Sequence, residues 1–454
     1  MELLLMHKDI KVMKFFVDND GSIKNIVELY RPEHLPFSTE ESSNNNLFKI
    51  KEWWNNRCIP VTRDDYSKSL ESLPKETSLS LVIKSYGLSL TDQYWVKKEE
   101  EDIRYDDVSF FSNKFSNDIG DIFIGKKKGK NISYYSPDST STGNLKKRWK
   151  IINGQRYLLK AGTKPHQYEI FNEIIASKIM NMLGIDHVNY EFTIDDGMLF
   201  CRSLDFISYN EDFVSAYQLF KSENKPNNVS YYNHILSIAN KIGLEDYQTY
   251  LEQMLFIDYL LGNTDRHFNN FGVIRDAKTL EFTRPAPIFD TGSCLGYNLS
   301  DDELMHLVHV EWMPFMSEKH PDQLSLIEDY SWIKFDILQA IPFQINELLK
   351  QYSDYITEKR RMAIVSFLTK RINSIFKHFK IDKELLDADN ELTSLEQNIL
   401  NYMKSHNNKI DDLRIISTKY EVVYLTVYRA IRSLVRKRLI IRRGATKNGY
   451  WVLL

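Results

Sequence analysis

The sequence predicts an α+β chain in which a strand-rich lobe is followed by a helix-rich lobe, with an α/β extension in front and a small basic module behind. Three observations carry this expectation. The turns Asp18–Asn19–Asp20–Gly21 and Asn153–Gly154 each separate apolar-rich segments and so mark β-hairpins. From Tyr168 to Leu183, and again beyond residue 210, apolar positions recur at helical spacing. At 454 residues the chain is also too long for a single core.

The elements follow in chain order. Val12–Phe16 and Ile23–Tyr30 flank the first turn and read as paired strands. A Ser- and Asn-rich stretch, Ser38–Asn46, and mixed, Trp-containing sequence to about residue 120 suggest no activity. Lys126–Thr142 is polar and turn-rich and reads as a flexible surface loop. Trp149–Ile152 and Arg156–Lys160 form the second hairpin, and Phe171, Ile174, Ile175, Ile179, Met182 and Leu183 define a helix that Gly184 ends. The pattern is then mainly helical to Phe379, notably over Tyr250–Leu261, apart from a turn-rich segment between Gly262 and Gly296. At the C-terminus Leu395–Met403, Asp411–Lys419 and Tyr424–Arg438 read as helices. Leu439–Arg443 and Gly449–Leu453 read as strands around the turn Ala445–Asn448, and three helices with a hairpin make a winged helix. The expected divisions are an extension over 1–120, a strand-rich lobe over 121–206, a helical lobe over 207–385 and the winged helix over 391–454.

Composition narrows the function classes. With 43% hydrophobic, 27% charged and 13% aromatic residues the chain falls among ordinary globular proteins. Lys8, Asp9 and Lys11 interrupt the apolar start, and no stretch reaches the roughly 18–20 apolar residues of a membrane span, so the expected location is the cytoplasm, away from membranes. Cys58, Cys201 and Cys294 are isolated, which argues against a zinc site or a disulfide framework. Net charge is uneven. From Lys409 onward four Lys and seven Arg face Asp411, Asp412 and Glu421, giving +8, whereas the preceding residues carry −11 of the overall −3. A basic tail of this kind suits an anionic partner, nucleic acid being the commonest.

Chemistry concentrates in Gly262–Asn263–Thr264–Asp265–Arg266–His267–Phe268–Asn269–Asn270–Phe271–Gly272. Phosphoryl transfer needs a carboxylate to orient and deprotonate the attacking hydroxyl and, close by, a neutral oxygen ligand for magnesium. Asp265 and Asn270 stand at the spacing that kinase catalytic loops use, although Arg266–His267 follow the Asp rather than precede it. Twenty residues after Asn270, the apolar strand Pro287–Ile288–Phe289 delivers Asp290 before Thr291–Gly292, a second oxygen ligand for Mg²⁺. Upstream, Lys160 ends a strand and Glu173 lies 13 residues on, in the helix; a Lys held this way can address nucleotide phosphates. Taken singly, a loop Asp is ordinarily a turn residue, a strand-end Lys a solvated edge and a helix Glu a surface acid. The ordered set points to an ATP site.

The segments YLLKAG (157–162), NEIIASKIMNMLGI (172–185), GNTDRHFNNFG (262–272) and IFDTGSCL (288–295) resemble HipA-like protein kinases over roughly residues 120–380. The resemblance implies a two-lobed protein-kinase-like fold, ATP with Mg²⁺ and Ser/Thr phosphorylation of a protein substrate. By it Asp265 is the catalytic base, Asn270 and Asp290 are the metal ligands, Lys160 binds phosphate with Glu173 as partner, and Phe200–Phe206 holds the adenine-contacting hinge. No GxGxxG precedes Lys160; only Gly143, in Ser139–Asn144, stands where a phosphate-covering loop belongs. That loop is rich in hydroxyls, which makes self-phosphorylation and a plain solvated loop the two readings.

In the winged helix Val427, Ala430, Ile431, Leu434 and Val435 form an apolar stripe, which turns Arg429, Arg432 and Arg436 outward. These arginines are expected in the major groove of double-stranded DNA, with Arg442, Arg443 and Lys447 on phosphates; docking of a protein is the competing reading. For the whole chain, the alternatives to an active protein kinase are a nucleotide-sensing transcription regulator and a lipid or small-molecule kinase.

Overall fold

The computed structural model describes the chain apart from residues 40–45, 64–65, 72, 74–75, 127–130, 308–319, 382–391, 438, 444–449 and 454, and apart from the side chains of 320–322 and 436. It divides into two units, Met1–Ile372 and Asn373–Leu454.

The larger unit begins with a four-stranded antiparallel sheet ordered Ile23–Leu29, Ile10–Val17, Glu2–His7 and Tyr94–Lys97. The first hairpin is as expected, with Asp18 Oδ1 accepting from the amide of Ser22 at 2.9 Å. Along Ile10–Val17, where a register shift at Val12 breaks strict alternation, Val12, Phe15 and Val17 enter a core with Trp54 from the helix Asn46–Asn55 and Val82 from Ser78–Lys84. This extension is joined to the rest of the unit by a buried polar network. His7 meets His34 at 2.9 Å and Asp212 at 3.0 Å, and Arg275 donates to Asp212 and to the Tyr94 hydroxyl at 3.0 Å each. Burial opposes ionisation of Asp212, but His7 and Arg275 hold its carboxyl down at about 2.

A second antiparallel sheet has the order Lys147–Ile152, Gln155–Lys160, Met198–Leu204 and Tyr190–Asp195. Its hairpin turns at Asn153–Gly154, both at positive φ. The helix Tyr168–Leu183 ends at Gly184, as its periodicity predicts. The helices that follow include Tyr231–Lys241, Tyr247–Leu261 and Phe335–Lys350, interrupted by a small sheet ordered Phe282–Pro285, Gly272–Asp276 and Glu211–Ser215.

Two expectations fail here. Lys126–Thr142 is not a flexible surface loop over its described C-terminal part: Pro137–Thr140 is a 3₁₀ turn and Ser136, Asp138, Ser139, Thr140 and Ser141 are buried. Their polar groups are largely satisfied within the protein, as when Asp138 accepts from the Trp149 amide at 2.8 Å and Thr140 donates to the Leu88 carbonyl at 2.9 Å. Pro287–Phe289 is likewise no ladder strand; a single parallel bridge from Ile288 to His187 keeps it extended.

The smaller unit contains helices Ser394–Ser405, Leu413–Lys419 and Tyr424–Arg436 and a sheet ordered Lys409–Ile410, Tyr450–Leu453 and Ile440–Arg443. Ile399, Met403, Ile416, Val427, Ile431 and Leu434 form its core. Val435 departs from the expected buried stripe and is 37% exposed, because it lies at the edge of the apolar arc near the helix end. The turn Ala445–Asn448 lies outside the described residues. Among the described residues no helix is long and apolar enough to cross a membrane.

Candidate active site

Four segments meet around Lys160. The hairpin register sets Lys160 opposite Lys147 at the end of its strand, buried in both cases. Lys160 Nζ donates to Asp290 Oδ1 at 2.6 Å, to Glu173 Oε1 at 3.2 Å and to the Tyr190 hydroxyl at 3.2 Å. Burial opposes the charge, but Asp290, Tyr190 and Glu173 outweigh it and hold the ammonium above its ordinary range. Burial also opposes ionisation of Asp290; Lys160 and Lys147 overcome it and keep that carboxyl below the usual carboxylate range. Burial pushes the Glu173 carboxyl up, against Lys160 and the Thr291 amide, which donates to Glu173 Oε2 at 3.0 Å.

The Asp-x-Gly segment lies against the helix because Gly292 has no side chain. A Cβ there would come within 3.1 Å of the Glu169 carbonyl and 3.2 Å of Glu173 Cγ. Asn172 fixes the same segment by donating to the carbonyls of Gly292 at 3.1 Å and Cys294 at 2.6 Å.

The 262–272 loop is organised by a residue that the sequence presented only as part of a motif. Arg266 is fully buried, forks onto Asp258 of the helix Tyr247–Leu261 at 2.9 and 3.0 Å, and donates to the carbonyls of Asn270 (2.9 Å) and Phe289. One guanidinium therefore joins the loop to the Asp290 segment. Asn270 Nδ2 donates to the Asp265 carbonyl at 3.1 Å, and the Asp265 amide donates to Asn263 Oδ1 at 3.2 Å. Among the described residues the hydrogen bonds to Asp265 run to its main chain, and its carboxylate is exposed at the cavity. Partial desolvation raises the Asp265 carboxyl, with His267 pulling it down and Asp290 pushing it up.

Gly143, Lys147, Lys160, Asp265, Asn270 and Asp290 line one cavity of about 940 Å³. Glu173 does not line it and acts from behind Lys160. Of the stretch expected to hold the hinge, Ser203 to Phe206 line the cavity, as does Ile207 beyond it, while Phe200 is a core residue. Phe206, Phe213 and Phe289 make an aromatic corner with ring centroids 5.3–5.9 Å apart. The donor set suits Mg²⁺: an ionised carboxylate on Asp290 and an amide on Asn270 whose nitrogen is already engaged, few enough ligands for an ion that keeps water and phosphate oxygens.

Lys147 was missed by sequence reasoning because nothing distinguishes it from Lys146 without the hairpin register. Burial lowers its ammonium to about 7, with Asp290 acting against that and Lys160 and Arg63 adding to it. Arg266–Asp258 was missed because a helix Asp eight residues upstream carries no signal of its own. In the smaller unit Arg429, Arg432, Arg442 and Arg443 are exposed; the Arg436 side chain and Lys447 lie outside the described residues.

Residues 140–359 match the family model described as the HipA-like C-terminal domain. The serine/threonine-protein kinase CtkA of Helicobacter pylori is 25% identical over 221 residues, 46% of this chain and 63% of the relative. The match thus spans less than two thirds of that relative. The crystal structure of the proinflammatory kinase CtkA of H. pylori aligns over 51% of this chain and 93% of its own, at 20% identity and a TM-score of 0.41. A chain of the HipA, HipB and operator DNA complex of Shewanella oneidensis MR-1 aligns over 85% of this chain and 99% of its own, at 13% identity and a TM-score of 0.53. This last likeness shows a shared fold.

Proposed function

We propose, from the match of residues 140–359 to the HipA-like C-terminal domain, that the chain is an ATP-dependent kinase acting on serine or threonine hydroxyls of a protein. The observation that carries this reading is the Lys160 bridge between Glu173 and Asp290 at the wall of a cavity shared with Asp265 and Asn270. The curated relative is a serine/threonine-protein kinase, which supports it.

In this mechanism Lys160 and Lys147 orient the ATP phosphates, and Asp290 and Asn270 would hold Mg²⁺, which would supply positive charge to offset that of the phosphates. Asp265 accepts the proton of the acceptor hydroxyl as its oxygen bonds to the γ-phosphorus and the bond to the departing ADP breaks. Glu173 keeps Lys160 in place, and Arg266 fixes the distance between the base loop and the metal-binding segment. A nucleotide sensor would have no need of Asp265, whose carboxylate does no structural work within its loop.

The smaller unit is read as a winged helix over residues 391–454. Arg429, Arg432 and Arg436 would enter the major groove, with Arg442, Arg443 and Lys447 on phosphates. One observation favours protein docking instead: Val423, Tyr424, Leu425 and Tyr428, at the start of the same helix, are exposed by 39–73%. Incubation of the purified chain with γ-labelled ATP and Mg²⁺, alone and with cell lysate, tests the kinase reading. Acid-stable label on serine or threonine is expected, and absence of transfer under both conditions rejects it.

A further inference from the structure

The turn that precedes Lys147 is held by a residue from outside the kinase-like region. Arg63, from the N-terminal extension and buried, donates from Nε to the Gly143 carbonyl at 3.0 Å, from one terminal nitrogen to Ser141 Oγ at 3.0 Å and from the other to the Ser141 carbonyl at 2.6 Å. All three guanidinium nitrogens thus serve one turn. The neighbouring Thr62 hydroxyl donates to Asn144 Oδ1 at 2.7 Å. Gly143 has φ +88°, and a Cβ on it would lie 2.5 Å from Lys147 Nζ, so the turn rests directly on the Lys147 ammonium. Thr142, Gly143, Asn144 and Lys147 face the same cavity as Lys160 and Asp290.

We propose that Arg63 is a positioning residue for the nucleotide site: by gripping Ser141 and Gly143 it shapes the phosphate-covering turn that the missing glycine-rich motif would otherwise supply. This rests on the kinase reading above, and it makes the N-terminal extension part of ATP binding. A glycine-rich loop shapes itself through its own backbone. Here Ser139–Thr142 is hydroxyl-rich, and its conformation is imposed by an external planar fork whose geometry a lysine cannot reproduce. The competing account is that Arg63 only staples the extension to the body.

The test uses the full chain with Arg63→Ala and Arg63→Lys. Calorimetry reads Mg-ATP affinity, and hydrogen exchange reads the amides of residues 136–146. Both variants are expected to weaken ATP binding by about tenfold or more, as misplaced binding groups do, and to lose protection over 139–144 while 157–160 and 262–272 stay protected. A charge-only role predicts rescue by Lys, and a plain staple predicts unchanged ATP affinity; either result overturns the proposal. Should Arg63→Ala fail to fold, Arg63→Lys carries the test, since it keeps the charge and most of the stem. If the unaltered chain binds no nucleotide, the kinase reading fails and this proposal with it. If it binds and both variants bind equally well, only the positioning role falls.

Discussion

Charged side chains cluster in two places in this chain, and they are treated in opposite ways. Around Lys160 the charges are buried, apart from Asp290, which is partly exposed at the cavity; they are opposite in sign and bonded to one another across four segments. On the helix Tyr424–Arg436 the arginines Arg429 and Arg432 are exposed, of one sign, and set beside exposed Tyr424 and Tyr428. A buried cluster is internally determined, so its partners can be read from the fold. An exposed one is completed by something outside the chain. The kinase reading therefore stands on geometry, and the reading of the C-terminal unit stands on what it would attract.

Substitutions in the two regions should differ most in stability. Asp258→Ala leaves the Arg266 guanidinium buried without its carboxylate and is expected to cost about 3–5 kcal/mol in denaturant unfolding, whereas Arg432→Ala should leave the midpoint unchanged. Equal effects would mean that the buried pair does not organise the loop. Next in size is Asp290→Asn, which should weaken Mg-ATP binding about tenfold or more by removing a charged metal ligand; affinity unchanged by calorimetry would remove Asp290 from that role.

The two regions were not equally legible. Asn153–Gly154, the helix Tyr168–Leu183 and the spacing of Asp265 to Asn270 are local patterns, and the fold preserves each of them. Long-range pairings were hidden. His7 with Asp212, 205 residues apart, and Arg63 with Gly143, 80 apart, are set by the tertiary fold, so the extension looked featureless. The hydroxyls of Ser136–Ser141 read as solvent-facing because sequence composition does not show that the fold supplies partners for most of them. Val435 failed for a smaller reason: a stripe drawn at 100° per residue has edges, and edge residues are half-buried.

A pH experiment sharpens the comparison further. Since burial lowers Lys147 to about 7 in the free protein, a phosphate ligand prefers its protonated form. ATP affinity should fall as pH rises through that value, and binding there should take up a proton. Calorimetry in buffers of different ionisation enthalpy reads this, and no proton uptake between pH 7 and 8 would exclude Lys147 from phosphate binding. The smallest expected effect lies in the exposed region. If it binds duplex DNA, anisotropy titrations of the full chain should weaken with salt, and replacing Lys447 by Ala should lower the log–log slope by about one unit. Binding insensitive to salt, or none, would leave the exposed aromatic residues and protein docking as the better account.

The central claim is that Asp265 is a base. Its carboxylate is exposed and serves no hydrogen bond among the described residues, so Asp265→Ala should melt like the unaltered chain yet lose label transfer from γ-labelled ATP by about 10²–10⁴-fold. Transfer undiminished in a folded Asp265→Ala protein would contradict the account.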